Sequence, residues 1–256
     1  MDDIKDLLDV VEKIRRECPW DRKQTHESLK KYLLEETYEL MDAIDGGDDK
    51  RLLEELGDVL LQVLLHSQIA SERKAFSFKD VAVHLKNKLI ERHPHVFGKA
   101  PAEEVLKSWE ERKAENRDSI LDGIPKSMPA LMRSQKLQDR ASLAGFDFEN
   151  TDQAFEKLQE EIQELKEAIQ AGDRENIQHE LGDILTAVVE LCRLLEVDAE
   201  IALQKANDRF ERRFRYMEQK AKKMGRDLRS MSLKEMDSLW LEAKKLSKDE
   251  TFDSGG

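Results

Sequence analysis

Two pairs of acidic residues in the first half of the chain have a spacing that suits metal binding. Glu36 and Glu39 stand three positions apart, and so do Glu55 and Asp58. Residues three apart lie on one face of an α-helix, so each pair directs two carboxylates to the same side. Residues 46–49, Gly-Gly-Asp-Asp, are typical of a turn between helices. The pattern therefore predicts an antiparallel helical hairpin that brings four carboxylates together.

The same arrangement returns 125 positions later in the second half of the chain. Its acids are Glu161, Glu164, Glu180 and Asp183. The turn keeps this offset as well, because Gly172 and Asp173 follow Gly47 and Asp48 by the same number of positions. Repetition at a fixed offset indicates tandem copies of one structural unit. We therefore predict an all-α protein of two repeated helical-bundle domains, residues 1–123 (including a connector) and residues 124–256.

Converging carboxylates repel one another unless they take up protons, pair with Lys or Arg, or bind a divalent cation. Oxygen ligands without His or Cys favour Mg²⁺, or Mn²⁺, over zinc. A ferritin-like di-iron site needs Glu-x-x-His, where this chain has Asp, and an EF-hand gathers its ligands on one loop. A solvated acidic helix face is the alternative for a single motif. Two copies in the same register favour a metal site.

Magnesium held by carboxylates usually shares its coordination sphere with substrate phosphates. The chain lacks the Gly-x-x-x-x-Gly-Lys-Ser/Thr loop, which excludes a P-loop nucleotide site. Lys205, Arg209 and Arg213 stand four apart and form a basic row on a predicted helix. This row either contacts phosphates or forms surface ion pairs. Trp240 either stacks on a nucleobase or packs between helices.

Apolar periodicity predicts the helices that position these residues. They cover residues 3–17, the two hairpin helices of each unit, about 78–92, a helix from residue 129, and about 199–224. The second hairpin helix of the first unit is apolar nearly all round, so we expect it to be buried. Residues 99–130 hold three of the five prolines and are predicted to be a connector around one charged helix. His93 and His95 flank Pro94 and are more typical of loop hydrogen bonds than of metal ligands.

The composition excludes several other classes of protein. A net charge of −12 over 256 residues argues against a nucleic-acid partner, which normally requires a basic face. No apolar run approaches the roughly 20 residues of a membrane-spanning helix, so no membrane partner is expected. Cys18 and Cys192 form no disulfide framework, and this favours a reducing, cytoplasmic location.

With these residues in place, the chain resembles the MazG family of nucleoside triphosphate pyrophosphohydrolases over nearly its whole length. The shared motifs are Cys-Pro-Trp-Asp at 18–21 with Gln24-Thr25, both acidic hairpins, Arg-His-Pro-His-Val-Phe at 92–97, and the segment 205–213. The acidic repeat alone also occurs in all-α dUTPases, so the flanking motifs make the resemblance specific.

The resemblance implies a dimeric, Mg²⁺-dependent enzyme that converts a nucleoside triphosphate and water to the monophosphate and pyrophosphate. It implies metal ligands at Glu161, Glu164, Glu180 and Asp183, and in the first unit at Glu36, Glu39, Glu55 and Asp58. It implies nucleotide contacts at Lys157, Glu160, Arg209, Arg213 and Trp240, to which we add Asn207 in the matching segment. Asn176 departs from the family, which often has lysine there.

The proposed reaction is attack of water on the α-phosphorus, with Glu160 or Glu161 as the catalytic base. Lys157, Arg209 and Arg213 would neutralise the charge of the leaving pyrophosphate. Tyr32 stands in the first unit where the second has Lys157, and no basic row follows it. We therefore expect metal binding in both units and the main activity in the second.

Nothing in the sequence reads a base edge, so we expect broad base tolerance and a role in nucleotide-pool housekeeping or stress regulation. The alternative function is a metal-bound nucleotide sensor, or a protein-interaction scaffold, that does not hydrolyse its ligand. An enzyme restricted to dUTP or to damaged nucleotides is a third possibility. The apolar hairpins predict a homodimer with two-fold symmetry, and the identity of any regulatory protein partner is open.

Overall fold

The fold is that of a computed structural model, which describes residues 2–98 and 119–253. These residues contain helices, turns and irregular segments but no β-strand, so the predicted all-α class is confirmed. The chain divides into two compact units, Met1–Lys113 and Ala114–Gly256. The boundary between the units falls between Lys113 and Ala114. Residues 99–118, which make up most of the predicted connector, lie outside the described residues. The boundary after residue 123 therefore stays a prediction.

The first unit is a helical hairpin with shorter helices packed against it. Its helices are α1 (Asp2–Glu17), α2 (His26–Gly46), α3 (Asp49–Glu72), α4 (Phe78–Arg92) and the single turn α5 (Pro94–Phe97). Helices α2 and α3 form the hairpin, and both α1 and α4 pack on α3. The first turn of α2 is capped by Thr25, whose side chain accepts a hydrogen bond from a backbone N–H inside the helix.

The residues of the hairpin turn explain why α2 ends and α3 begins where they do. Gly47 has φ of 65°, a left-handed conformation that glycine adopts without a steric penalty. The side chain of Asp48 then accepts a hydrogen bond from the first turn of α3. The turn of the second unit uses Gly172, with φ of 70°, and Asp173 in the same way. The two hairpins are thus built by the same local chemistry.

The core of the first unit is apolar and lies between α1, α2 and α3. Its buried members are Val11, Leu29, Leu64, Leu65 and Ile69, and partly buried Tyr32 and Leu61 pack against them. Arg15 is buried at the edge of this core, where it donates to the Glu72 carboxylate at 3.0 and 2.6 Å. A third nitrogen of Arg15 donates to the carbonyl of Gln24 at 3.1 Å. This arginine therefore fixes the loop that leads into α2.

The second unit repeats this plan and adds a second hairpin. Its helices are α6 (Ala130–Leu143), α7 (Thr151–Ala171), α8 (Arg174–Leu194), α9 (Ala199–Lys223) and α10 (Leu233–Asp253). The first residues of α7 and α8 follow those of α2 and α3 by the same 125 positions that separate the acids. Helix α6 packs on α8 as α1 packs on α3, and α9 packs on α10 and α6.

Helices α9 and α10 share a small core of their own. Its buried residues are Met217, Ala221, Met231 and Leu239, and Trp240 packs against them. At the edge, Lys220 Nζ lies 2.6 Å from an oxygen of Glu242. The same oxygen accepts a hydrogen bond from the Tyr216 hydroxyl, 2.5 Å away. The position of Trp240 is therefore set by packing between the two helices.

One face of α3 is exposed within its unit, contrary to the expectation of full burial. Leu53 is 74% exposed, and Leu56, Leu60 and Val63 continue the same face. The neighbouring helices cover only the other side of α3. The equivalent positions on α8, Leu181, Leu185 and Val188, are exposed as well. Among the described residues, none of the helices has the length and hydrophobicity of a transmembrane helix.

Candidate active site

Four carboxylates of the second unit converge between α7 and α8. Glu161 and Glu164 lie one turn apart on α7, and oxygens of both lie within 4.8 Å of one another and of an oxygen of Glu180 on α8. Asp183, one turn further along α8, shares a second such group with Glu180. Glu161 and Glu180 are buried, Asp183 is half-buried and Glu164 is exposed. The cluster therefore has a buried floor and an open rim.

An unpaired oxygen on Glu180 separates this cluster from an ordinary acidic surface. Glu180 Oε2 is shielded from solvent and has no hydrogen-bond partner among the described residues. Glu55 Oε2, at the same position in the first unit, is left unpaired in the same way. A buried carboxylate oxygen without a partner destabilises a fold, and a bound cation removes that penalty. The repetition of this feature in both units fits a cation site in each.

Lys157 lies one turn before Glu161 on α7 and joins two of the carboxylates. Its Nζ is 2.8 Å from an oxygen of Glu160 and 2.7 Å from an oxygen of Glu161. These hydrogen bonds raise the pKa of Lys157, so the amine stays charged at neutral pH. A positive charge is therefore held at the edge of the carboxylate cluster, where phosphate oxygens can meet it.

The charges of the cluster act on Glu164. Glu164 is exposed, yet partial loss of hydration beside its neighbours raises its pKa, and the carboxylates of Glu161, Glu180 and Glu160 raise it further, while Lys157 opposes them. A carboxyl group with a raised pKa is costly to ionise in the folded state. The cluster is therefore under electrostatic strain at neutral pH, which a divalent cation would relieve.

His179 also lies at the cluster, and the sequence analysis missed it. Its Nδ1 is 3.0 Å from Asp183 Oδ2 and 3.7 Å from Glu180 Oε1. The signal was available, because His179 and Asp183 are four positions apart on one helix. The description of the site as free of histidine was thus incomplete in the second unit. The first unit has Glu54 at the equivalent position.

The first unit gathers the equivalent acids. Oxygens of Glu36, Glu55 and Asp58 lie within 4.8 Å of one another. Burial raises the pKa of both Glu36 and Glu55, and the charge of Glu39 raises both further. Arg51 Nε lies 3.7 Å from Glu55 Oε1 and offsets part of this effect. All four acids therefore share one electrostatic environment.

A pocket of about 440 Å³ opens beside the carboxylates of the second unit. Lys157, Glu161 and Asp183 line one end of it. The rest of its wall comes from α6, α8 and the loop before α7, and includes Gln138, Phe146, Phe148, Thr186, Ala187 and Glu190. The sequence analysis predicted none of these six residues as functional, because they belong to three separate segments and to no repeated motif.

The basic row and Trp240 are not part of the described wall of this pocket. Lys205, Asn207 and Arg209 are exposed on α9. The guanidinium carbon of Arg213 lies 5.6 Å from the centre of the Trp240 ring, a cation–π distance. The Phe210 ring lies 5.2 Å from the same tryptophan. The structure thus groups Arg213 with Trp240, and it groups Lys157 and Glu160 with the acids.

His93 and His95 lie in the first unit, away from its acidic group. His93 Nδ1 is 2.6 Å from the carbonyl oxygen of Leu89, a local hydrogen bond of the kind expected. Pro94 starts the single turn α5, which places His95 in a short helix where a loop was predicted. Neither histidine belongs to a metal-binding group among the described residues.

The family profile described as the MazG nucleotide pyrophosphohydrolase domain matches residues 24–97 and again residues 149–217. Each match contains one complete set of four acids and the turn between them. The chain belongs to the MazG family. The predicted family and the predicted enzyme class, a pyrophosphohydrolase, are therefore confirmed. Trp240 and Phe146 lie outside both matched ranges.

Curated relatives match over most of the chain. It is 46% identical, over 246 residues, to the nucleoside triphosphate pyrophosphohydrolase/pyrophosphatase MazG of Thermotoga maritima, covering 94% of this chain and 95% of that one. It is 43% identical, over 258 residues, to the nucleoside triphosphate pyrophosphohydrolase of Escherichia coli K12, covering 96% and 98%. An uncharacterized Bacillus subtilis protein, YabN, is 46% identical over 235 residues, which are 89% of this MazG-family chain and 48% of YabN.

Proposed function

We propose that this MazG-family protein hydrolyses nucleoside triphosphates to nucleoside monophosphate and pyrophosphate with the help of Mg²⁺. The observation that carries the proposal is the carboxylate cluster with its unpaired buried oxygen on Glu180. A charged lysine and an open pocket adjoin that cluster. The relatives named as nucleoside triphosphate pyrophosphohydrolases over the whole length give the substrate class.

The donor set fits a hard divalent cation. Glu161, Glu164, Glu180 and Asp183 would hold it through oxygens, which suits Mg²⁺ and also Mn²⁺. When bound, such an ion polarises phosphoryl oxygens and lowers the pKa of a coordinated water. His179 is assigned outside the ligand set, as the group that orients the Asp183 carboxylate.

Residues of the second unit would carry out the proton transfer of the reaction. The attacking water forms a new bond from its oxygen to the α-phosphorus, and the bond from that phosphorus to the bridging oxygen breaks to release pyrophosphate. Glu160 lies beside the cluster without being one of its grouped ligands, so it is the better-placed proton acceptor. Glu161 takes this role if one of its oxygens is free of metal. Lys157 forms ion pairs with both acids.

The remaining substrate contacts rest on the family resemblance. Arg209, Arg213 and Asn207 lie inside the second matched range and are proposed to meet the nucleotide. Trp240 is proposed as a contact at the end of α10 that packs on α9. In the first unit Glu36, Glu39, Glu55 and Asp58 are proposed to bind metal. Tyr32 offers no charge for a phosphate, so the second unit would carry the main activity.

A homodimer is proposed because both hairpins expose an apolar face. Leu185 is 57% exposed and Leu53 is 74% exposed. Pairing like units about a two-fold axis would cover these faces. Light scattering on the purified protein would show twice the chain mass, and a monomer at micromolar concentration would contradict the proposal. The cytoplasmic location, broad base tolerance and a part in nucleotide-pool housekeeping or stress regulation belong to the same proposal.

The deciding experiment measures pyrophosphate release from each common NTP and dNTP, with Mg²⁺ and with excess EDTA. Release from several bases, lost in EDTA and in the Glu180→Gln variant, supports the hydrolase. Binding of nucleotide without release would instead support the sensor or scaffold. Release from dUTP alone would support the alternative of an enzyme that is restricted to dUTP. Glu167→Ala, which removes an exposed acid of α7 outside the cluster, is the matched control.

A further inference from the structure

The pocket beside the carboxylates is continuous with the proposed phosphate site. Lys157, Glu161 and Asp183 line it at one end. Its volume of about 440 Å³ lies in the range of roughly 300–1,000 Å³ that is usual for small-molecule pockets. A triphosphate bound at the cluster therefore has an adjacent cavity of the right size for the rest of the nucleotide.

Two aromatic residues also line the pocket. Phe146 and Phe148 lie in the short loop between α6 and α7, and both line the pocket. Phe146 is 84% exposed, the highest value among the large apolar side chains described. An aromatic ring left in water at the wall of a pocket is a surface on which any nucleobase can stack, because every base has a flat π-face.

The loop that carries these rings is fixed to α8 by an ion-pair network. Arg193 donates to the carboxylate of buried Glu190 and also to the carboxylate of Asp147, which lies between the two phenylalanines. Elsewhere in the lining, Gln138 Nε2 donates to the carbonyl oxygen of Thr186 at 2.9 Å. Arg193 is therefore a positioning residue that sets where the aromatic rings stand.

The first unit has no such arrangement at the equivalent positions. Leu61 and Leu65 stand where the second unit has Thr186 and Glu190, and both belong to the apolar core or pack against it. Gln68 stands where the second unit has Arg193. The acids are repeated but these three residues are not, which ties this polar wall to the second unit.

We propose that this pocket receives the nucleobase of the substrate, stacked on Phe146 and Phe148. The inference rests on the proposed function and adds a subsite to it. The phosphates then lie at the Lys157 end, and Trp240 is left for a contact elsewhere on the nucleotide. Stacking by itself tolerates every base, because each base has a flat π-face.

The test compares Phe146→Ala with wild type in the full-length protein at saturating Mg²⁺. We expect the KM for ATP and for CTP to rise about tenfold, with kcat little changed, because base–aromatic stacking is lost. The inhibition constant of inorganic tripolyphosphate, which has no base, should stay the same. Phe146→Trp should restore the KM. Leu195→Ala, an exposed apolar residue outside the pocket, is the matched control and should leave both quantities unchanged.

An unchanged KM for both nucleotides would overturn the inference, and so would an equal weakening of tripolyphosphate, since Phe146 would then act on the phosphate end. Ala187→Phe, which fills the pocket from α8, provides a second variant with the same expected pattern. If the wild type released no pyrophosphate, the proposed function would fail. Binding of α,β-methylene-ATP against tripolyphosphate to the same variants would still decide the base site.

Discussion

The two units bring the same four acids together and differ in what lies next to them. In the first unit, Leu65 belongs to the apolar core, and Tyr32 and Leu61 pack against that core. In the second, the residues at the same positions are Lys157, Thr186 and Glu190, and a pocket opens there. The two helices that hold the acids, α2 with α3 and α7 with α8, are thus repeated, and each such hairpin is called a frame below. The polar residues that line the pocket of the second unit are not repeated in the first.

Under the proposed function, this difference separates metal binding from catalysis within one chain. The unpaired oxygens of Glu55 and Glu180 fit a cation site in both frames. Among the residues that the structure describes, a lysine contacts the acids in the second frame alone. A cation site by itself stabilises a fold, whereas hydrolysis also needs a bound and oriented substrate. The comparison leads to four predictions, given from the largest expected effect to the smallest.

Loss of one acid should affect the two units very differently. Glu164→Ala should lower the rate of pyrophosphate release by about 100-fold or more, because a metal ligand supplies several kcal/mol of transition-state stabilisation. Glu39→Ala removes the equivalent acid of the first unit and should leave most of the activity. Steady-state assays of the two full-length variants, with circular dichroism to verify helicity, would check this. Equal losses would mean that both units catalyse.

Exchanging Lys157 with its first-unit counterpart Tyr32 should show whether the lysine accounts for the difference in activity between the units. Lys157→Tyr gives the second unit the residue of the first, and kcat should fall about 10- to 100-fold because the charge on the leaving group is no longer neutralised. Tyr32→Lys is the reciprocal change. It should add no activity, because Leu61 and Leu65 still occupy the space of the pocket. A gain of turnover in a Tyr32→Lys, Glu164→Ala double variant would contradict this account.

Metal should stabilise both units, and more so at neutral pH. The pKa values of Glu36, Glu55 and Glu164 are raised in the folded protein. Their contribution to stability is therefore complete below the ordinary carboxyl value of 4.5 and is lost as the pH rises through the raised values. Mg²⁺ should raise the melting temperature by a few degrees at pH 7.5 and very little at pH 4.

Calorimetry of metal-free and metal-loaded protein at the two pH values would measure this effect. The difference between the two forms is the proper readout, because carboxylates with lowered pKa, such as Glu72 and Glu235, change stability with pH in the opposite direction. Glu55→Gln and Glu180→Gln should each remove part of the rise. If only Glu180→Gln had an effect, the first unit would not bind metal.

The turns should be equivalent, since the frame is shared. Gly47→Ala and Gly172→Ala each place a Cβ on a residue with positive φ, and neither Cβ would meet another atom within 4 Å. Each change should therefore cost about 1 kcal/mol from backbone conformation alone. Denaturant unfolding followed by circular dichroism would measure both. A much larger loss in one unit would show that its turn has a further role.

Much of the frame could be predicted from the sequence because its signals are local. Apolar periodicity placed α1 and α4 to within about a residue, and the glycine–aspartate turns marked the hairpins. The predicted full burial of α3 was wrong for one of its faces. An apolar helix face has the same sequence pattern whether it packs within its own unit or against another surface. Leu53 and Leu56 satisfy either arrangement.

The wall of the pocket could not be predicted in this way. Phe146 and Phe148 lie in a loop without periodicity, and Arg193 meets Asp147 across 46 positions of sequence. Thr186 and Glu190 did give a signal, since they are polar residues four apart in the mostly apolar second half of α8. Their meaning depends on the neighbours that folding provides. His179 differs from these residues, because its spacing of four from Asp183 on one helix is a local signal that the sequence does contain.

The sequence by itself determined which acids share a helix face and that the frame occurs twice, since both follow from spacing along one chain. The tertiary structure decided which frame has room for a substrate, because that depends on side chains from α6, α8 and a loop meeting in space. The same helical plan has packed leucines at these positions in the first unit. In the second unit it leaves a pocket lined by a lysine and two phenylalanines.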